Sequence, residues 1–278
     1  FDHGAQFFTA RSQSFASAVQ RLEADGAVAA WTPRRVHIEV GAEDMGVQRP
    51  PAEADQWYVG TPGMNGLVKA LAKGLDVNWS MRAVAIEREG QDSFIVFEDG
   101  ERRGPFDTII SAVPAEQAAI LLEDASPALA REAKGARTAP CWAVMLAFSR
   151  PLDVDWDAAM LQGSPIGLAA RNSGKPGREG PDAWVLHATP DWSRDNVDAE
   201  AEEVAAVLAN AFSEISGAPA PASMAAHRWL YAKTETAAGS SFGWDADRRI
   251  ATIGDWRIAP RVEAAWQSGL AIADFLLN

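Results

Sequence analysis

The stretch from Ile250 to Asn278 constrains this chain more than any other. Ile250-Ala251-Thr252-Ile253 runs into Gly254-Asp255-Trp256, and after Pro260-Arg261-Val262-Glu263 the sequence is almost without charge. The first part predicts a short buried strand, the last a well-packed helix. A strand that ends in a glycine and a carboxylate, then feeds a helix start, sets an acceptor for hydroxyls beside helix amides that lack intrahelical partners. The helix dipole favours partial negative charge at the same place. That suits a polar cofactor with a sugar chain and an anionic edge. The duller reading is a buried terminal helix with a capping aspartate.

Composition narrows the field. The 278 residues allow one large domain or two ordinary ones. No apolar run reaches the length of a membrane span. A formal net charge of −13 argues against nucleic acid or an anionic membrane as partner, though an anionic small ligand in a locally basic pocket stays open. The single cysteine, Cys141, excludes an internal disulfide framework and fits a reducing, cytoplasmic setting. It sits beside Pro140 and Trp142 and reads as buried, without an activating neighbour. The four histidines, His3, His37, His187 and His227, lack metal-ligand spacing, so no metal site is expected. A nucleophile elbow and a Walker loop are absent from the sequence. Most of the eleven tryptophans are expected in cores, with some left to line a site for a flat aromatic ligand.

Periodicity predicts a first helix with Phe15, Ala18, Val19 and Leu22 inward, capped by Ser12 or Ser14 and stopped by Gly26. Short strands follow at 28–31, 35–40 and 57–59, with a surface loop over 41–55 around Pro50-Pro51. Thr61-Pro62 reads as the cap and first residue of a helix ending at Gly74, with Met64, Leu67, Val68 and Leu71 on one face. Strands are expected at 75–79, 83–89, 94–98 and 106–113, the last buried on both faces, with Asp99-Gly100 as a hairpin turn. A short helix spans 115–122. Beyond it come strands at 143–148, 166–170 and 184–189, and a Gly/Pro-rich loop over 174–181. A helix over 197–215 turns Val204, Val207, Leu208, Ala211 and Phe212 inward, and a linker over 217–221 precedes a strand at 225–231.

The terminal Gly254-Asp255-Trp256…Arg261-Val262-Glu263-Ala264-Ala265 segment resembles the C-terminal signature of flavin-dependent amine oxidases and, more closely, of renalase-like oxidoreductases. The opening Asp2-His3-Gly4-Ala5-Gln6-Phe7-Phe8-Thr9 is similar to a run those proteins carry where the chain passes the flavin. Tyr58-Val59-Gly60-Thr61-Pro62-Gly63-Met64, Ala83 with its neighbours, and Ile109-Ile110-Ser111-Ala112-Val113-Pro114 resemble further family segments, in the family's order. The resemblance implies FAD as cofactor. Asp255 would lie near its ribityl or pyrophosphate part, and the Arg261, Val262 and Glu263 backbone at the flavin N1/C2=O edge. Gly4 would permit close approach to the ring, and Gln6 would offer a donor and an acceptor. Asp2, Ala5, Ala83, Pro114, Gly254 and Trp256 complete the implied cofactor set. Ala264 stands where the family has glycine. Ala264, Ala265, Ser268 and Gly269 are small enough for tight helix packing. Ala226-His227-Arg228-Trp229-Leu230-Tyr231-Ala232 resembles the segment returning from the substrate sheet. Alternation puts His227, Trp229 and Tyr231 on one face, as the roof of a substrate site or as a structural aromatic stripe.

The expected fold is α/β plus α+β: the remainder of a Rossmann-like FAD-binding domain (61–122 and 234–278) interleaved with a mixed-sheet substrate domain (7–60 and 123–233). The sequence given holds no Gly-x-Gly-x-x-Gly. Against the family's first βαβ unit this implies about 40–50 residues missing ahead of Phe1, and weak FAD retention by this chain. The implied chemistry is oxidation of a small-molecule substrate, a dihydronicotinamide isomer, with O2 as acceptor. Such a donor needs no general base. Amine oxidation or desaturation is the alternative within flavin chemistry, and an inactive fragment serving as a binding module is the alternative outside it.

Overall fold

The structure, a computed structural model, describes residues 1–41, 45–49 and 55–278. Pro50-Pro51 lies outside the described residues. In chain order the elements begin α1 (Gln13–Ala24), β1 (Val28–Trp31), β2 (Arg35–Val40), β3 (Met45–Gln48), β4 (Trp57–Gly60) and α2 (Gly66–Leu71). Next come β5 (Ala83–Glu89), β6 (Asp92–Phe97), β7 (Arg102–Phe106), β8 (Ile109–Ser111), α3 (Ala115–Leu121) and α4 (Pro127–Gly135). They continue with β9 (Arg137–Phe148), β10 (Ala158–Gln162), β11 (Ile166–Arg171), β12 (Asp182–Ala188), α5 (Pro190–Asp195) and α6 (Ala201–Ser216). The chain ends with β13 (Ser223–Thr236), β14 (Gly243–Asp245), β15 (Ile250–Thr252) and α7 (Val262–Leu277). It forms two compact units: residues 1–73 with 139–232, and residues 74–138 with 233–278. Where the sequence suggested divisions after 60, 122 and 233, the units divide after 73, 138 and 232.

The first unit is built on a seven-stranded mixed sheet ordered β13-β9-β12-β11-β10-β2-β3, with β10 and β2 parallel. Alternation sends Trp142, Val144, Leu146 and Phe148 of β9 and Trp184 and Leu186 of β12 to one face, where Val204, Leu208 and Phe212 of α6 close the core. Trp156 meets Trp184 edge to face with centroids 4.9 Å apart. The opposite face carries the antiparallel β1–β4 pair, whose Trp31, Trp57 and Val59 pack on Ala158 and Ala170. α1 forms as expected: Ser12 accepts from the Phe15 amide, Phe15, Ala18, Val19 and Leu22 are buried, and Gly26 takes φ +72°.

The second unit holds two three-stranded sheets. One is ordered β14-β15-β8 with β15 and β8 parallel, the other is the antiparallel meander β5-β6-β7. An alanine-rich face of α3 and α4 (Ala115, Ala118, Ala130, Ala133) packs with Leu122, Leu129, Ile250 and Trp256. Small side chains let these two short helices pack closely.

Several expectations are corrected. Residues 45–48 form a strand on β2 within the stretch read as loop, because Val47 and Met45 pair with Ile38 and Val40. The helix after Thr61-Pro62 starts only at Gly66. Thr61-Pro62 is a cis bond, and a β-carbon at Gly66 would stand 2.1 Å from the Thr61 carbonyl oxygen. Val68 and Leu71 are exposed rather than inward. No strand forms at 75–79, where Leu75 and Trp79 face solvent. The run 106–113 divides between the meander and β8, and Ile110 is exposed, so β8 is buried on one face only. In α6 Ala205 and Ala209 turn inward, whereas Val207 is exposed.

Candidate functional site

In the second unit, β8 and β15 run parallel, and the chain leaves both at the same end. After β8 it passes Val113 to Pro114, which is the N-cap of α3. After β15 it passes Gly254 and Asp255 and then enters α7. Ligands of open parallel sheets bind outside the carboxyl ends of the strands, where loops and helix N-termini gather. Trp256, 1 % exposed, ties the two exits together by donating from Nε1 to the Val113 carbonyl oxygen at 3.1 Å. Gly254 takes φ +142°, and a β-carbon there would lie 2.7 Å from Trp256 Cδ1. Only glycine fits. The Gly254 amide donates to Ser268 Oγ at 2.9 Å, and Ser268 donates on to the Ser241 carbonyl at 2.6 Å.

Asp255 is half-buried and makes no ion pair among the described residues. Burial raises its carboxyl above the usual aspartate range, against the opposing pull of the Trp256 amide and its own. No side chain caps α7, whose N-cap Arg261 is extended and exposed, and Val262 is half-buried beside it. Glu263 is buried in the first turn. Of the small residues expected to pack α7, Ala264 and Ser268 are fully buried, Ala265 is exposed and Gly269 has open space at its β-carbon. The extra methyl of Ala264 is therefore absorbed in packing. Arg257, which sequence reasoning missed, is wholly buried. It donates to Thr252 Oγ1 and Glu132 Oε2, both at 2.9 Å, and to Ser240. Ala83 opens β5 opposite Phe97, just before a bulge.

In the first unit, residues 2–6 are a strap without regular structure. Asp2 accepts from the Met64 amide at 2.9 Å, from Arg178 at 2.6 and 3.1 Å and from Lys175 at 3.3 Å. Burial pushes its carboxyl up, but the Met64 amide, Lys175 and Arg178 together hold it below the usual range. The Gln6 amide nitrogen donates to the carbonyls of Asp2 and Gly4, and its oxygen accepts from Lys175 at 2.8 Å. Both amide hydrogens are engaged, so the donor expected of Gln6 serves the strap itself. Gly4 is not crowded, since a β-carbon would meet only Trp229 Cζ2 at 3.9 Å, and Ala5 is exposed.

His227, Trp229 and Tyr231 share one face of β13, while Arg228 on the other face stacks over Trp142; both faces are exposed here. His3 lies on this aromatic face, stacked on Trp229 with centroids 5.3 Å apart and edge-on to His227 at 4.8 Å. The His3 carbonyl accepts from Trp229 Nε1 at 3.1 Å, and the His3 Nδ1 is buried without a hydrogen-bond partner among the described residues. Burial, then His227, lower the His3 pKa against the pull of Asp2. His187 lies beneath, with its Nε2 3.3 Å from the same carbonyl. Burial foremost, with Lys175 and His3 adding, lowers its pKa to about 4 against the His3 and Gly4 backbone. Tyr231 stands at the edge with no ring partner among the described residues.

Each unit thus assembles its own subset. Asp2, Gly4, Ala5, Gln6, His227 and Trp229 come together in the first; Pro114, Gly254, Asp255, Trp256 and the α7 start come together in the second. A cavity of about 780 Å³ in the second unit, lined by residues 85–89 with Asp124, Ala125, Asp247 and Arg248, contains none of these. Its wall is alternately charged and already cross-linked by Arg88 to Ser93 and the Arg248 carbonyl. No cluster of potential metal ligands occurs among the described residues.

No family model matches the chain. Among solved structures it aligns with a putative protoporphyrinogen oxidase from Exiguobacterium sp. 255-15 at a TM-score of 0.60 and 18% identity, over 82% of this chain and 53% of that one. Two putrescine oxidase variants redesigned in cofactor binding align at TM-scores of 0.56 and 0.57 with 12% and 11% identity, over 81% and 80% of this chain and 54% of each. The chain has a mixed α/β fold that matches part of the fold of those oxidases. It spans about half the length of those oxidases, and at these identities the likeness is one of fold. No helix among the described residues is long and apolar enough to cross a membrane.

Proposed function

We propose that this chain forms part of an FAD-dependent oxidoreductase of the renalase-like kind. The observation that carries the reading is the parallel β8–β15 pair, whose two exits meet at Pro114 and Gly254-Asp255 beside an uncapped α7. A carboxylate that accepts and a helix start that donates fit the ribityl hydroxyls and the N1/C2=O edge of a flavin. Bound FAD would supply a two-electron acceptor, so that a dihydronicotinamide isomer, O2 and a proton give the oxidised pyridinium and hydrogen peroxide. The chain's own part is binding and electrostatics: Asp255 and the α7 start toward the cofactor, and the His3, His227, Trp229 and Tyr231 face toward a flat substrate. None of these groups has to take a proton from such a donor.

The phosphate cradle such a cofactor requires is not encoded in the sequence given, so the chain by itself is expected to hold FAD weakly. The test is to fuse the chain behind a βαβ nucleotide-binding unit and record the visible spectrum after gel filtration. A stoichiometric flavin band supports the reading, and a colourless protein that is folded by circular dichroism defeats it. Turnover of dihydronicotinamides against a panel of amines then separates the renalase-like reading from amine oxidation. The exposed Trp229 and Tyr231 and the fold shared with putrescine oxidase favour the second reading.

A further inference from the structure

The strap of residues 2–6 keeps its shape without a backbone ladder, since regular pairing begins only at Phe8, opposite Tyr58. Side chains hold it instead, chiefly from the turn that joins β11 to β12. Asn172 accepts from the Asp2 amide at 3.1 Å, Arg178 clamps the Asp2 carboxylate, and Lys175 reaches Asp2, Gln6 and Asn172 together. The Lys175 side chain is wholly buried and that of Arg178 nearly so, against one carboxylate. Two buried cations on one anion is a costly way to fix a loop, and apolar residues of similar volume are often as stable or more so. The return on that cost is a single conformation of the strap.

We propose that Lys175 is a positioning residue: it fixes the Asp2–Gln6 strap, the run that resembles the family's flavin-side segment. The purpose of the strap rests on the flavin reading; the mechanical claim does not. Lys175 has three hydrogens and three oxygen acceptors, so replacing it takes the donor from Gln6 Oε1 and leaves Asp2 Oδ2 to Arg178. Asp2, Arg178 and His187 are the charged and titratable groups that face it. Burial first, and Arg178 second, bring its pKa down to about 8 against the pull of Asp2.

The test is amide hydrogen exchange on the flavin-free chain, with the Met64 amide, which donates to Asp2, as reporter. The Phe8 amide, which donates to the Tyr58 carbonyl, and Val19 in α1 are controls. In K175M the unbranched side chain fills the space beside Trp31 and Asp2 keeps Arg178 as its counter-charge, so the chain is expected to fold. Met64 protection is expected to fall about tenfold with Phe8 and Val19 unchanged. In the unmodified chain, Met64 protection should drop as pH rises through about 8, and K175M should lack that step. Protection within about twofold of the original, or equal loss at all three amides, overturns the proposal. If K175M does not fold, the pH profile of the unmodified chain decides alone, and a flat profile overturns it. Because no flavin is present, failure of the cofactor reading leaves this result untouched.

Discussion

Asp2 and Asp255 are both aspartates of the implied cofactor set, and the fold treats them in opposite ways. Asp2 receives two cations and a backbone amide, and its carboxyl is held below the usual range. Asp255 is desolvated without a cation, and its carboxyl is pushed up. Folding has matched the first carboxylate with partners of its own and left the second at a cost. A carboxylate that the fold tolerates rather than uses is the better candidate for meeting a group from outside the chain. The first unit thus matches its aspartate internally, and the second presents an unmatched acceptor beside an uncapped helix.

The largest effect should come from Gly254. G254A combines a left-handed backbone with a methyl 2.7 Å from Trp256 Cδ1, and Trp256 is pinned to the Val113 carbonyl. A loss of about 4 kcal/mol is expected, read by urea unfolding. Gly269, in mid-α7, has open space and an ordinary helical φ, so G269A should gain up to about 1 kcal/mol. Equal effects at the two glycines would break the claim that the Gly254 turn is a built site.

The next effect belongs to the first unit. His187 stays neutral in the fold down to about pH 4, whereas in the unfolded chain it protonates near its ordinary 6.5. Its folded pKa is depressed, so the unfolded state binds the proton first. The stability is fully present above about 6.5 and is lost as pH falls toward 4, by about 3 kcal/mol at most. Melting curves across that window should show the decline, and H187Q should flatten it.

Asp255 has the opposite sign. Its raised carboxyl favours the folded state at acid pH, and that contribution disappears as pH rises through the raised value. D255N therefore should not lower the thermal midpoint near neutrality. Behind a nucleotide-binding unit, the same variant should weaken FAD by about 2 kcal/mol, roughly thirtyfold, by fluorescence titration. A stable variant with unchanged affinity would move Asp255 to the internal category of Asp2.

Much of the scaffold is legible where periodicity and punctuation agree, as in α1, whose Ser12 cap and Gly26 stop flank the apolar face. The misses have physical causes. The inward face of α4 is mostly alanine, too weak an apolar signal to mark a helix, although Pro127 stands at its first turn. Leu75 to Trp79 reads as a strand by composition, but no strand among the described residues pairs with it. At the site, Asp255 and the α7 start are readable because strand, carboxylate and helix are contiguous. Lys175 and Arg178 are not, because their partner Asp2 is more than 170 residues away in sequence. Two cations in a Gly/Pro-rich loop are the one available hint, and burial, which the sequence does not print, gives them meaning.

The smallest effect sharpens the comparison on the exposed side of the first unit. Trp229 both stacks on His3 and donates to its carbonyl at 3.1 Å, yet it is 39 % exposed. W229F keeps a ring for stacking and removes only the donor. The His3 carbonyl keeps His187 as a neighbour, so the stability cost should be about 1 kcal/mol or less. If the face is a substrate platform, the FAD-loaded fusion should show a raised KM with kcat little changed, since a uniform binding contact has been altered. W229A removes the stacking surface as well and should raise KM further. A fall in stability with no change in KM for either variant would make the His3–Trp229–His227 group a structural stripe, as rigid and as internal as the Asp2 network beside it.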